Sequence, residues 1–263
     1  MFLSGKVVWI TGSSSGIGEA LAYAFAKEGA RLILSSRNAS KLTEVKNRCP
    51  YPERHIVLPL DLEDSSTFSA DVRSVLDKFG RIDILINNGG ISQRSLAALT
   101  SLETDRRIME TNFFGTVALT KAVLPSMIER GSGHLVVISS LMGKFGTPLR
   151  STYSASKHAL HGFFDSLRAE VRSQGIKVTL VCPGFIRTNI SINALCADGS
   201  CNGTMDDAQA AGLLPGVCAA RIVQAVVKGR EEVFIGGKEV MGVYLKRFFP
   251  GIFNHFIAKA KVT

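Results

Sequence analysis

The chain has 263 residues, 46% of them hydrophobic, with 31 Lys and Arg against 22 Asp and Glu for a formal net charge of +9. That length and apolar content predict one large α/β domain over residues 1–263 with a substantial core. No run is long and apolar enough to span a bilayer, Met1 to Lys6 is too short for a signal peptide or anchor, and no basic block, aromatic stacking platform or zinc spacing supports nucleic acid.

Lys6 to Thr11 (KVVWIT) reads as a strand that runs through Gly12-Ser13-Ser14-Ser15-Gly16-Ile17-Gly18 into a helix ending near Gly29. A strand, a glycine-rich turn and a helix start together form a phosphate site, because glycine lets the backbone approach and the first helical N–H groups favour an anion. The alternative is a tight turn with no ligand. The second strand, Arg31 to Ser36, is followed by Arg37 where a dinucleotide fold selective for NAD places an acid on the ribose 2′-OH. A guanidinium there binds a phosphate bidentately, so NADP(H) is the expected cofactor; the alternative is a plain surface arginine.

Helix Ala39 to Arg48, strand Ile56 to Leu60 with Asp61-Leu62 at its exit, helix Asp64 to Phe79 and strand Asp83 to Ile86 continue the alternation. These strands are apolar throughout, as parallel strands covered on both faces should be, so a doubly wound sheet is expected. Asn87-Asn88-Gly89-Gly90 closes the fourth strand with small residues. One long helix, Thr104 to Arg130, is then predicted, with Asn112 either a packed amide or a buried polar group with a role.

His134 to Ile138 reads as the fifth strand, and Ser140 at its end is placed to hydrogen-bond a substrate oxygen. Tyr153 and Lys157 lie one helical turn apart in a segment that continues with helical apolar spacing through Leu160, Phe163, Phe164, Leu167 and Val171. An ammonium beside the phenol is expected to lower its pKa, which makes Tyr153 a proton donor or acceptor for carbonyl or alcohol chemistry. A chance surface pair is the alternative.

Ile176 to Val181 is the sixth strand, closed by Pro183-Gly184 and Thr188. Residues 189–215 have weak periodicity and suit a mobile lid; helix Gly216 to Val227 and strand Glu232 to Ile235 complete the sheet. Five cysteines, odd in number and without metal-ligand spacing, are expected as reduced thiols in an intracellular protein. In the tail, residues 238–263, an apolar stripe (Tyr244, Leu245, Phe248, Phe249, Ile252, Phe253, Phe256, Ile257) runs among Lys246, Arg247, Lys259 and Lys261, broken as a helix by Pro250. It either packs on the domain, closing the substrate pocket or meeting a second subunit, or lies on an acidic membrane.

In order, Thr11-Gly12-x-x-x-Gly16-Ile17-Gly18, Asp61, Asn87-Asn88-x-Gly90, Asn112, Ser140, Tyr153-x-x-x-Lys157 and Pro183-Gly184-x-x-x-Thr188 resemble the short-chain dehydrogenase/reductase family over residues 5 to 237. Asn88 to Ser95 and Ser154 to Leu160 resemble most its dehydrogenase/reductase member seven branch. The resemblance implies a Rossmann-type sheet of seven mostly parallel strands in the order 3-2-1-4-5-6-7, and a homodimer through the helices of Asn112 and Tyr153. It implies Tyr153 as general acid or base, Lys157 lowering its pKa and holding the nicotinamide ribose, Ser140 polarising the carbonyl and Asn112 ordering a relay water. For NADP it implies Gly12, Ser14, Gly16, Ile17, Gly18 and Arg37 around the phosphates and adenosine ribose, Asp61 and Leu62 at the adenine, Asn88 at the neighbouring ribose, and Pro183, Gly184 and Thr188 at the carboxamide. The expectation is a cytosolic NADP(H) oxidoreductase for a small hydrophobic carbonyl or alcohol (steroid, retinoid or xenobiotic), reduction favoured, with contact to the endoplasmic reticulum membrane as an alternative placing. The competing class is a cofactor-binding redox sensor or scaffold without turnover.

Overall fold

The computed structural model describes residues 3–259; Lys261 of the tail lies outside them. Seven strands, β1 (Val7–Thr11), β2 (Arg31–Ser35), β3 (Ile56–Val57), β4 (Ile84–Asn87), β5 (Gly133–Ile138), β6 (Ile176–Pro183) and β7 (Glu232–Ile235), form one sheet in the order β3-β2-β1-β4-β5-β6-β7. Every ladder is parallel. The central strands are apolar at consecutive positions because both faces are covered: Val8 and Ile10 pack with Leu21, Phe25 and Ile222 on one side, Val7 and Trp9 with Val75, Val123 and Phe164 on the other.

Helices α1 (Gly16–Lys27) and α2 (Ala39–Arg48) follow β1 and β2. Asn38 caps α2 by accepting from Lys41 N. The predicted helix from Asp64 begins instead as a tight turn, Ser65–Thr67, capped by Asp64, before α3 (Phe68–Phe79).

The helix expected over Thr104 to Arg130 is two helices, α4 (Leu102–Met109) and α5 (Gly115–Glu129), joined by a π-turn at Glu110–Phe114. Two contacts account for the wider turn. The Asn112 amide is bonded in both directions to the Ile91 backbone, and Gly115 lies so close to the Leu62 carbonyl that a Cβ would approach its oxygen to 2.1 Å. The backbone bulges to satisfy both.

α6 (Ser151–Val171) carries Tyr153 and Lys157, and buries Leu160, Phe164, Leu167 and Val171 against the sheet. Truncating Phe164 to Ala leaves a cavity in this layer worth about 3–5 kcal/mol. α7 (Asp207–Ala210) and α8 (Pro215–Val227) precede β7, and α9 (Met241–Phe248) and α10 (Pro250–Lys259) are separated at Pro250. Phe253 of α10 is buried edge-on against Phe145, with ring centroids 5.0 Å apart, so the tail docks on the domain through this aromatic. No described helix is long and apolar enough to cross a membrane.

Candidate active site

The carboxyl ends of β1, β2, β4, β5 and β6 open into a cleft of about 790 Å³ at the point where the strand order reverses between β1 and β4. Crevices at such reversals hold ligands in open α/β sheets. Every residue expected at the site lines this cleft except Gly18 and Asn112. Those two support it from behind.

The glycine turn is built for close approach. Gly12 and Gly16 adopt positive φ of 63° and 62°, and a Cβ on Gly12 would stand 2.8 Å from Gly89 Cα. Gly18 has a different reason to be glycine: a Cβ there would meet the Gly12 carbonyl oxygen at 2.2 Å, so it sets the packing of α1 under the turn. Ser15, the residue before α1, makes no side-chain cap, which leaves the first N–H groups of the helix to a ligand. Asn88 clamps the turn, its Nδ2 donating to Thr11 O (2.9 Å) and Gly12 O (3.2 Å). Thr11 Oγ1 in return accepts from the Asn88 and Gly89 N–H groups.

Arg37 extends into the cleft, but a carboxylate does stand beside it. Glu63 Oε1 is 4.0 Å from Arg37 Nη1 and 3.2 Å from Arg107 Nε, and also accepts from Thr111. Two guanidiniums share that one acid, and Lys41 lines the same end, so the region remains electropositive. Lys41, Glu63 and Arg107 carried no motif to mark them in the sequence. Asp61 lines the cleft next to Leu62 while its Oδ1 accepts from Glu63 N at 3.0 Å.

At the other end, Tyr153 hydrogen-bonds Ser140, whose Oγ also accepts from Met142 N and contacts Pro183 O at 3.4 Å. Lys157 Nζ donates to Ile138 O at 3.0 Å and stands 5.8 Å from the centre of the Tyr153 ring, over its face. The expected lowering of the phenol by that ammonium is therefore not what this arrangement produces. Burial pushes the Tyr153 hydroxyl above its ordinary 10.0, opposed by the Ser140 hydrogen bond and then by the Arg150 and Arg94 guanidiniums. Burial also pushes Lys157 down to about 8. Asn112 braces the wall: Oδ1 accepts from Ile91 N at 2.8 Å, and Nδ2 donates to Ile91 O at 2.9 Å and Ser156 Oγ at 3.0 Å. A methyl on Gly90 would lie 3.0 Å from Asn112 Oδ1 and 3.6 Å from Lys157 Nζ, so that glycine keeps open the space they share.

The cap of α6 comes from elsewhere in the chain. Gln93 Oε1 accepts from Thr152 N (2.9 Å) and Tyr153 N (3.2 Å), while its Nε2 reaches Ser95, Thr100 and Ser151. A buried glutamine thus fixes where α6 begins. Residues 189–215 lie against the cleft through Asn189, Asn193, Leu195 and Gln209. Bridges tie Leu195 to Gln93 and Cys201, and Gln209 donates to the Thr188 hydroxyl at 3.3 Å. One turn beyond Lys157 on the same face of α6, His161 clusters with Cys182 and Glu232, and burial pushes its imidazole down to about 4.

A parallel sheet with a glycine turn at its reversal, and a serine, tyrosine and lysine at the far end of the same cleft, defines a Rossmann-type oxidoreductase architecture. Residues 6–196 match the family profile described as short chain dehydrogenase, and the chain belongs to the short-chain dehydrogenase/reductase family. It is 45% identical to dehydrogenase/reductase SDR family protein 7-like of Drosophila melanogaster, over 99% of this chain and 82% of that protein. It is 44% identical to dehydrogenase/reductase SDR family member 7B of Bos taurus, over 98% and 82%. Among solved structures it is similar to a short-chain dehydrogenase from Streptomyces avermitilis, 32% identical with a TM-score of 0.80 over 97% of this chain and 95% of that one. The fold is shared with a short chain dehydrogenase/reductase from Burkholderia phymatum solved in complex with NAD, 22% identical with a TM-score of 0.84 over 96% of each chain.

Proposed function

We propose that the protein is an NADP(H)-dependent oxidoreductase that interconverts a hydrophobic carbonyl and its alcohol, with reduction the favoured direction. The observation that carries this reading is the single cleft joining the glycine turn and α1 N-terminus to Tyr153, Ser140 and Lys157. The bare α1 N–H groups and the glycine cradle fit a pyrophosphate, and Arg37, Lys41 and Arg107 fit a 2′-phosphate beside Glu63. Asp61 and Leu62 would take the adenine, Lys157 the nicotinamide ribose, and Pro183, Gly184 and Thr188 the carboxamide. When bound, the nicotinamide supplies or accepts a hydride at C4.

Tyr153 donates its hydroxyl proton to the carbonyl oxygen during reduction and takes it back during oxidation. Its raised pKa suits the donor role, since the phenol stays protonated through the neutral range. Ser140 donates to the same oxygen. Both amide hydrogens of Asn112 are committed, so any water it orders is held by an acceptor oxygen. Residues 189–215 act as the lid, and Phe145, Phe253 and Ile257 supply an apolar wall for substrate. A panel of carbonyl compounds run with NADPH and NADH in parallel tests the reading. The expected result is NADPH-selective turnover of apolar ketones or aldehydes; NADPH binding with no turnover across the panel would favour the sensor class instead.

A second surface supports membrane contact. Met241, Tyr244, Phe248, Phe249, Ile252 and Phe256 are exposed on α9 and α10, beside Lys246, Arg247 and Lys259 and with no acid between Met241 and Lys259. We propose that this face rests on an acidic bilayer next to the wall through which an apolar substrate enters. The full chain is expected to co-sediment with anionic vesicles, and a Phe248→Ser/Phe249→Ser/Phe256→Ser variant to remain in the supernatant; equal behaviour removes the proposal. A homodimer through α4, α5 and α6, where Leu102 and Phe114 are exposed, is the assembly we propose, and a monomer at every concentration in sedimentation velocity would count against it.

A further inference from the structure

The loop after β6, which carries the residues suited to a nicotinamide carboxamide, leaves the sheet where its last neighbour ends. Gly184 N donates to Ile235 O at 2.8 Å, and β7 stops at Ile235. The following N–H, that of Phe185, is met by a side chain: Glu239 Oε1 accepts it at 3.1 Å and also accepts from Gly237 N at 3.0 Å. Glu239 belongs to the tail, in the single turn Lys238–Val240 before α9, and it lines the cleft. Three glycines make room for it. A Cβ on Gly184 would fall on the Glu239 carboxylate, one on Gly236 would stand 2.6 Å from Oε1, and one on Gly237 would stand 3.0 Å from Oε2. None of the three adopts a positive φ, so it is space for the carboxylate, not backbone conformation, that their missing side chains supply. On its other side the same loop is held by the lid: Leu213 N donates to Phe185 O and Arg187 N to Leu213 O, both at 2.9 Å.

We propose that Glu239 is a positioning residue for the nicotinamide end of the cofactor site. Its carboxylate sets the Gly184–Phe185 backbone from the tail side while Leu213 sets it from the lid side, so the turn before α9 is a working part of the cleft. Phe185 N–H lies one residue from Gly184 and three from Thr188. Loss of its acceptor therefore tilts the peptide planes on which a carboxamide would rest, and leaves the glycine turn after β1, at the opposite end of the cleft, unchanged.

The inference rests on the reading of this cleft as a dinucleotide site, and its test measures binding to the full chain instead of turnover. Isothermal titration compares each dinucleotide with the same molecule lacking nicotinamide: NADPH with 2′-phospho-ADP-ribose, and NADH with ADP-ribose. Glu239→Ala is expected to weaken the intact dinucleotide about tenfold, the scale of one lost hydrogen bond to a charged group, and to leave the truncated ligand within about twofold. Glu239→Gln keeps an acceptor oxygen and is expected to match the parent. Gly236→Ala lies outside the loop but drives a methyl against the same carboxylate, and is expected to reproduce the selective loss; if Glu239→Ala does not fold, Gly236→Ala decides alone. A merely structural tie moves intact and truncated ligands alike. Equal losses for the two, or no loss for either, overturn the proposal while leaving the oxidoreductase reading in place. A parent that takes NADH in preference to NADPH and still shows the selective loss keeps this inference and removes NADP(H) from the functional one. A parent that binds neither dinucleotide ends both.

Discussion

Tyr153→Phe is expected to lower kcat by about a thousand-fold, near 4 kcal/mol, for any carbonyl substrate the panel identifies, because a positioned general acid contributes about 10²–10⁴. The substitution removes one oxygen. That hydroxyl bonds Ser140, and nothing in the fold depends on it, since Gln93 holds the helix start through backbone N–H groups. NADPH affinity, read by fluorescence titration, should therefore stay within about twofold, and the thermal midpoint should hold. Retained turnover would take Tyr153 out of its role and leave the Lys157 ammonium as the stronger acid in the cleft, beside the Ser140 hydroxyl. Lost NADPH binding would show instead that the ring is a wall of the cofactor site.

Arg37→Asp is expected to weaken NADPH binding about a hundred-fold while leaving NADH binding unchanged or improved. A guanidinium–phosphate contact is worth about 1.5–3 kcal/mol, and the introduced carboxylate repels the phosphate while being able to accept from ribose hydroxyls. The local geometry sharpens the effect, for the new acid would face Glu63 with Arg107 the one remaining guanidinium on that glutamate, beside the Thr111 hydroxyl. Arg37 is exposed enough that folding should not respond: its side chain is 59% accessible. Isothermal titration with both cofactors separates the outcomes. Equal losses for NADPH and NADH would mean that the arginine orders the turn after β2 and that Lys41 and Arg107 read the phosphate.

The sequence alone determined the parallel sheet, because strands such as Val7–Thr11 and Leu135–Ile138 are apolar at successive positions, a pattern stable only with helices on both faces. It also determined the glycine turn and the pairing of Tyr153 with Lys157, since both are local: backbone conformation in one case, one helical turn in the other. What acts on Tyr153 was settled by tertiary structure. Helical spacing brought the lysine near the ring but could not say that its ammonium would find the Ile138 carbonyl instead of the hydroxyl. Nor could it place Glu63 against Arg37, the Gln93 amide on the first turn of α6, or Asp206 between two arginines, one of them 112 residues away. The π-turn at Asn112 belongs with these, forced by Ile91 and Leu62 from outside the helix. Periodicity records which face of an element is buried. The strength of a charge–charge or hydrogen-bond contact depends on the distance and burial of partners brought together from remote parts of the chain, and those quantities exist only once the sheet has closed the gap between them.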